Sequence, residues 1–171
     1  MNKNIILIGL MGAGKSSVGK ELARLLNLSF IDTDMLIQQM TGTSIPVIFA
    51  VEGESGFRQR EKKVIAEISR QKGLIIATGG GAVLDEENCL NLSQNSFVVY
   101  LHAKPKHLWC RTKFDKNRPL LQTLDPLAKL EKLYTVRDPL YRALADEVVE
   151  TKGKSLLALA QLIAHHAKNR T

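Results

Sequence analysis

Residues 9–16 read Gly9-Leu10-Met11-Gly12-Ala13-Gly14-Lys15-Ser16, directly after the apolar run Ile5-Ile6-Leu7-Ile8. Glycine, four residues, then Gly-Lys-Ser is the phosphate-binding loop pattern, here with a strand before it and a helix after it, as the motif requires. The physical reasons are direct. The glycines let the backbone turn tightly and aim several N–H groups at one point. The helix that opens near Lys15 adds the positive end of its dipole. Lys15 supplies an ammonium for the β- and γ-phosphates of a nucleoside triphosphate, and the Ser16 hydroxyl can ligate Mg²⁺. A secretory signal is the competing reading of this stretch. It fails because the apolar segment is short, no Ala-x-Ala site follows, and Lys15 opens a good amphipathic helix.

Working outward, apolar runs alternate with amphipathic segments along the whole chain, which is the pattern of an α/β sandwich around a parallel sheet. Strands are expected at about residues 4–9, 29–32, 74–77, 96–101 and 147–150. Helices are expected at 15–26, with Val18, Leu22, Leu25 and Leu26 on one face, then at 35–40, 44–51, 55–71 and 155–167, with Gly53 breaking the chain between two of them. A further helix ends at Arg111. The stretch from Thr112 to Asp125 is polar, basic and without a clear period. Irregular segments of that length inside a compact domain are usually functional, such as a lid.

The 171 residues suit a single domain with a real core. No segment is long and apolar enough to span a bilayer, so no membrane association is expected and the cytoplasm is the expected location. Two cysteines, Cys89 and Cys110, make no disulfide framework. Cys110 is expected to be buried as a small apolar residue. The net charge of +7 raises the question of nucleic acid. The basic residues are scattered, however, and aromatics are not interleaved with them, so small anionic substrates are the better reading and no nucleic acid partner is expected. The histidines lack metal-ligand spacing, and most are expected at the surface.

In a doubly wound sheet, ligands gather at the carboxyl ends of the strands. The second strand ends in Asp32-Thr33-Asp34 and the third in Thr78-Gly79-Gly80-Gly81. Neither the third nor the fourth strand closes on a carboxylate, which leaves Asp32 to hold Mg²⁺ together with Ser16. Asp34 could then face a hydroxyl acceptor. A plain turn, or a helix cap at Asp34, is the structural alternative for this pair. The glycine triplet suggests backbone approaching a ligand closely, or only a tight turn. Arg58 and Glu61, three apart on a helix, can pair. With Arg118 and Arg137 they suggest a clamp for a substrate carboxylate and a neutraliser for a transferring phosphoryl group. Spacing and charge reach as far as a carboxylate-bearing polyol acceptor.

Over nearly its whole length the chain resembles shikimate kinase. The phosphate loop, Asp32-Thr33-Asp34, Phe57-Arg58-x-x-Glu61, Gly79-Gly80-Gly81, Arg118-Pro119-Leu120 and Arg137-x-Pro139-Leu140-Tyr141 match in order and spacing. The resemblance implies a three-layer P-loop kinase fold: a five-stranded parallel sheet of order 2-3-1-4-5, with helices on both faces and a lid at about residues 112–124. It implies phosphoryl transfer from ATP to the 3-hydroxyl of shikimate, in the chorismate route to aromatic amino acids. Lys15, Asp34 and Arg118 are then the catalytic residues. ATP would meet Gly12, Ala13, Gly14, Lys15, Ser16, Ser17, Arg111, Arg118 and Lys154, with Ser17 keeping the hydroxyl of the Thr found in many members. The acceptor would meet Asp34, Arg58, Gly79, Gly80, Gly81 and Arg137, within a substrate-binding segment of about residues 33–61. One kinase domain working as a monomer is expected. Two other readings compete. One is a gluconate- or nucleoside monophosphate-type kinase of the same architecture. The other is a GTP-binding switch, prompted by Thr112-Lys113-Phe114-Asp115 but lacking any Asp-x-x-Gly.

Overall fold

The structure is a computed structural model and describes residues 3–115 and 118–170. Five parallel strands form one sheet, in chain order β1 (Asn4–Ile8), β2 (Ser29–Asp32), β3 (Leu74–Ala77), β4 (Ser96–His102) and β5 (Glu147–Glu150). Their order across the sheet is β2-β3-β1-β4-β5, with helices on both faces, as the resemblance implies. β1 lies in the middle, its Ile5 level with Ile75 of β3 and with Phe97 of β4. All five of its residues are buried, and so are all four of Leu74–Ala77. Apart from Asn4, whose side chain bonds the backbone of Gln71 and Leu74, these strands are wholly apolar, as suits the centre of a parallel sheet covered on both sides.

The helices are α1 (Lys15–Leu26), α2 (Thr33–Thr41), α3 (Ile45–Ile68), α4 (Glu86–Ser93), α5 (Pro105–Thr112), α6 (Pro126–Leu144) and α7 (Leu156–Lys168). α1 begins directly after Gly14, which caps it at φ 94°, a left-handed conformation that glycine adopts without steric cost. Its buried face differs from the expected one. Val18, Gly19, Leu22 and Ala23 are buried, whereas Leu25 is exposed. The reason is the close seat of α1 on the sheet: a methyl group at Gly19 would collide with the Phe30 ring. α3 is two helical pieces joined at Gly53, whose φ of 73° interrupts the helix where the sequence places the break.

Two helices have no counterpart in the sequence reading. α4 is capped by Asp85, which accepts from the Asn88 N–H, and carries Glu86 and Glu87 in its first turn. α6 is capped by Asp125, which accepts from the Ala128 N–H, and has Pro126 at its start. Both starts follow helix-capping rules. Pro139 inside α6 obscures the period that would have revealed it. Among the described residues between α5 and Asp125, the regular structure is one short 3₁₀ turn, Pro119–Leu121. Lys116 and Asn117 of the expected lid lie outside the described residues. The Thr-Lys-x-Asp tetrapeptide follows the end of helix α5, not a strand.

Among the described residues no helix is long and apolar enough to cross a membrane. Cys110 is exposed, contrary to expectation, because it faces outward on α5, while Leu108 and Thr112 take the buried side of the same helix. His102 also departs from the expected surface placement. It closes β4 as a buried side chain, with Nδ1 2.6 Å from Glu150 Oε2 and Nε2 2.9 Å from the Tyr134 hydroxyl.

Candidate active site

The carboxyl ends of β1, β2 and β3 open into one cleft of about 360 Å³. Its floor is the phosphate loop. Met11, Gly12, Gly14, Lys15, Ser16 and Ser17 face it. The Lys15 ammonium donates to the carbonyls of Gly9 at 2.7 Å and Leu10 at 2.9 Å. Burial lowers its pKa from 10.5 to about 8, and the positive charges of Arg118 and Arg137 work in the same direction against Asp34 and Asp32.

Asp32 ends β2 and plays two parts. One oxygen accepts from the N–H groups of Asp34 and Met35, so the helix cap is Asp32 and not Asp34. The other accepts the Ser16 hydroxyl hydrogen. This contact joins two oxygen donors at the mouth of the phosphate loop. Mg²⁺ usually keeps several waters and takes only one or two protein oxygens beside its phosphates, so this pair fits such a cation. Among the described residues no group of three or more His, Cys, Asp or Glu side chains is placed to hold a metal.

Asp34 turns its carboxylate into the cleft. Its Oδ1 is buried without a hydrogen-bond partner. Burial raises its pKa, the Asp32 charge adds to the effect, and Lys15, Arg118 and Arg58 oppose it. Opposite stand Arg58 and Arg137. The Arg58 Nη1 donates to Glu61 Oε2 at 2.6 Å, and Nη2 reaches Glu54 at 3.1 Å. Glu61 is wholly buried, and burial raises its pKa against the opposing Arg58 charge. Arg137 is only 3% exposed, and its Nη1 has no hydrogen-bond partner. Buried charged groups with unmet hydrogen-bonding capacity are costly unless something polar joins them.

Gly79, Gly80 and Gly81 run between these groups. A methyl group on Gly79 would sit 2.5 Å from Glu61 and 2.8 Å from Asp34, and one on Gly81 would strike the Arg58 guanidinium. The triplet thus makes room for carboxylate and guanidinium side by side. The Gly79 N–H donates to Thr33 Oγ1 at 3.0 Å, and the Tyr141 hydroxyl donates to the Gly80 carbonyl.

Arg118 and the following Pro119 and Leu120 line the cleft from the segment after α5, with Arg118 Nε 2.9 Å from Asp115. Arg111 lies at the far side of the phosphate loop, 3.2 Å from the Gly12 carbonyl and 3.4 Å from Thr151 Oγ1. Two expected site residues do not line the cleft. Ala13 is buried beneath the loop, its N–H bonded to the Leu10 carbonyl. Lys154 is exposed and donates to the Glu150 carbonyl at 2.9 Å, so its loop approaches the site through Thr151 instead. Ile45, Phe49, Phe57 and Thr78 line the cleft without having been singled out. Phe57 stands inside a quoted motif, and the Phe49 ring packs 5.0 Å from it. As isolated aromatic residues on a helix they carry no signal that separates an active-site wall from ordinary core.

A phosphate loop, an acidic pair at the next strand and inward-facing arginines on a sheet of this order define a P-loop small-molecule kinase, an ATP-dependent phosphotransferase. The sequence model for shikimate kinase matches residues 11–168, and the chain belongs to the shikimate kinase family. It is 54% identical over 160 residues to the shikimate kinase of Burkholderia thailandensis, covering 94% of this chain and 87% of that protein. The fold superposes with a TM-score of 0.97 on shikimate kinase from Acinetobacter baumannii in complex with shikimate, at 45% identity over 100% of this chain and 96% of that one. A gluconokinase from Sinorhizobium meliloti shares the fold alone, with a TM-score of 0.63 and 17% identity over 99% of this chain and 95% of that one.

Proposed function

We propose that this protein transfers the γ-phosphoryl group of ATP to the 3-hydroxyl of shikimate, giving shikimate 3-phosphate and ADP for aromatic amino acid biosynthesis. The observation that carries the reading is that one cleft holds the phosphate loop, Asp34, the half-buried guanidinium of Arg58 and the buried one of Arg137. An acceptor with a carboxylate at one end and hydroxyls at the other spans such a site.

The loop amides of Gly12 and Gly14, with Lys15, Ser16 and Ser17, cradle the triphosphate. Ser16 and Asp32 would hold Mg²⁺, which would supply neutralising positive charge to the bound triphosphate. Lys15 and Arg118 neutralise the γ-phosphoryl oxygens, where catalysis of this transfer is mostly positioning and electrostatics. Arg111 flanks the base, with the loop carrying Lys154 as the opposite wall. Arg58, Arg137 and the amides of Gly80 and Gly81 hold the acceptor's carboxylate beside Gly79, converting remote binding energy into orientation of the reacting hydroxyl. Asp34 accepts a hydrogen bond from that hydroxyl, and its raised pKa suits a group that takes up a proton. Closure of residues 112–124 over both ligands would exclude water. One chain supplies every group of the cleft, so catalysis needs no second copy; a monomer acting in the cytoplasm is part of this proposal.

The test is a panel of shikimate, gluconate and adenosine monophosphate as acceptors with ATP and Mg²⁺, with the product analysed by phosphorus–proton correlation NMR. Phosphate on the 3-oxygen of shikimate, with little transfer to the others, is expected. Faster transfer to gluconate or the nucleotide would overturn the reading.

A further inference from the structure

Gly79, Gly80, Gly81 and Ala82 form a β-turn, closed by the Ala82 N–H donating to the Gly79 carbonyl at 3.2 Å. Gly81 sits at φ −94°, ψ 0°, which is the third position of a type I turn. That is not the turn its sequence prefers. Glycine at this position favours type II, and the two types differ by a flip of the central peptide, here the one joining Gly80 to Gly81. No Cβ on either side resists the flip. The orientation matters because the peptide is planar and trans, so its carbonyl and N–H point in opposite directions. A flip would put a carbonyl dipole where an N–H had been, and an anionic substrate is attracted to one and repelled by the other.

One side chain senses that orientation. Tyr141 is fully buried, and its hydroxyl donates to the Gly80 carbonyl. The ring is held from behind by Tyr100, 4.9 Å away, and the Tyr100 hydroxyl is fixed by Asp138 at 2.8 Å. Tyr141 lies one helical turn beyond Arg137 on α6, and both the Tyr141 oxygen and Arg137 Nη1 come within 3.5 Å of the place a Gly80 side chain would occupy.

We infer that Tyr141 is a positioning residue for the acceptor: its hydroxyl locks the Gly80–Gly81 peptide in the type I orientation and so aims the Gly81 N–H, in register with Arg137. This rests on the reading that an acceptor carboxylate meets that peptide and Arg137. A single net hydrogen bond corresponds to a two- to tenfold effect, roughly.

Tyr141→Phe tests the inference, since it keeps the ring that packs on Tyr100 and deletes only the hydroxyl. Two readouts are paired: KM for shikimate and for ATP, and hydrogen exchange at the glycine amides of the ligand-free protein by NMR. The variant is expected to raise KM for shikimate about fivefold, leave KM for ATP unchanged and speed exchange at Gly81 without doing so along β4. Unchanged exchange at Gly81 overturns the inference whatever happens to KM. So does faster exchange with an unchanged shikimate KM, or a general rise in both KM values with exchange faster throughout β4. If the unaltered protein fails to phosphorylate shikimate, the proposed function falls, and the exchange measurement still decides whether Tyr141 locks the peptide.

Discussion

Arg58 Nη1 lies 2.6 Å from Oε2 of Glu61, and that carboxylate is withdrawn entirely from solvent while the arginine keeps one edge in the cleft. Breaking this pair is costly, because the half-buried guanidinium is left with only the exposed Glu54 as a partner. Glu61→Ala should therefore cost about 1.5–3 kcal/mol of stability, the scale of a charged hydrogen bond, and also raise KM for shikimate, because Arg58 loses its bracket. Denaturant melts and steady-state kinetics check both. A variant as stable as the parent would show that the pair is dispensable.

Lys15 titrates in an accessible range. Its pKa in the ligand-free protein is about 8, against 10.5 when unperturbed. Between these values the unfolded chain binds more protons than the folded one, so the stability of the ligand-free protein should rise with pH across that window. A bound triphosphate favours the ammonium. ATP binding at pH 8 should then take up about half a proton, measured by calorimetry in buffers of different ionisation enthalpy. Lys15→Ala should remove that uptake and nearly abolish turnover while the protein stays folded.

Asp34 should show a trade between stability and activity. Its pKa is raised in the folded state, so stability falls as pH climbs from the ordinary carboxylate value through the raised one, and at neutral pH the charged form is a burden. Asp34→Asn is expected to raise the melting temperature at pH 7 while lowering kcat by roughly a hundredfold or more. A variant that keeps its kcat would remove Asp34 from the chemistry.

Arg137→Ala should weaken shikimate binding about ten- to a hundredfold, the scale of charged hydrogen bonds, and leave ATP binding nearly unchanged. Loss of ATP affinity with shikimate affinity retained would put Arg137 on the nucleotide side.

What was legible in the sequence follows from how each feature is encoded. The phosphate loop is contiguous, so Gly9 to Ser16 could be read with its strand and helix. The central strands β1, β3 and β4 are legible because buried parallel strands are short, mostly apolar runs, whereas the edge strands β2 and β5 are polar at both ends. Arg58 and Glu61 lie three apart on one helix and announced their pairing. The α6 helix was hidden by Pro139, although the Asp125-Pro126 start was there to be seen. Tyr141 and Gly80 are far apart in the chain, and nothing local in either stretch shows that a phenol meets a carbonyl. Lys154 enters through the family resemblance alone, and an exposed lysine in a loop has too much freedom for a resemblance to aim its side chain.

The most direct measurement is the rate of ADP release from ATP and Mg²⁺, with and without shikimate. A slow basal rate is expected, with a large, saturable acceleration by shikimate that Arg137→Ala shifts to higher concentration. ADP release that is indifferent to shikimate would contradict it.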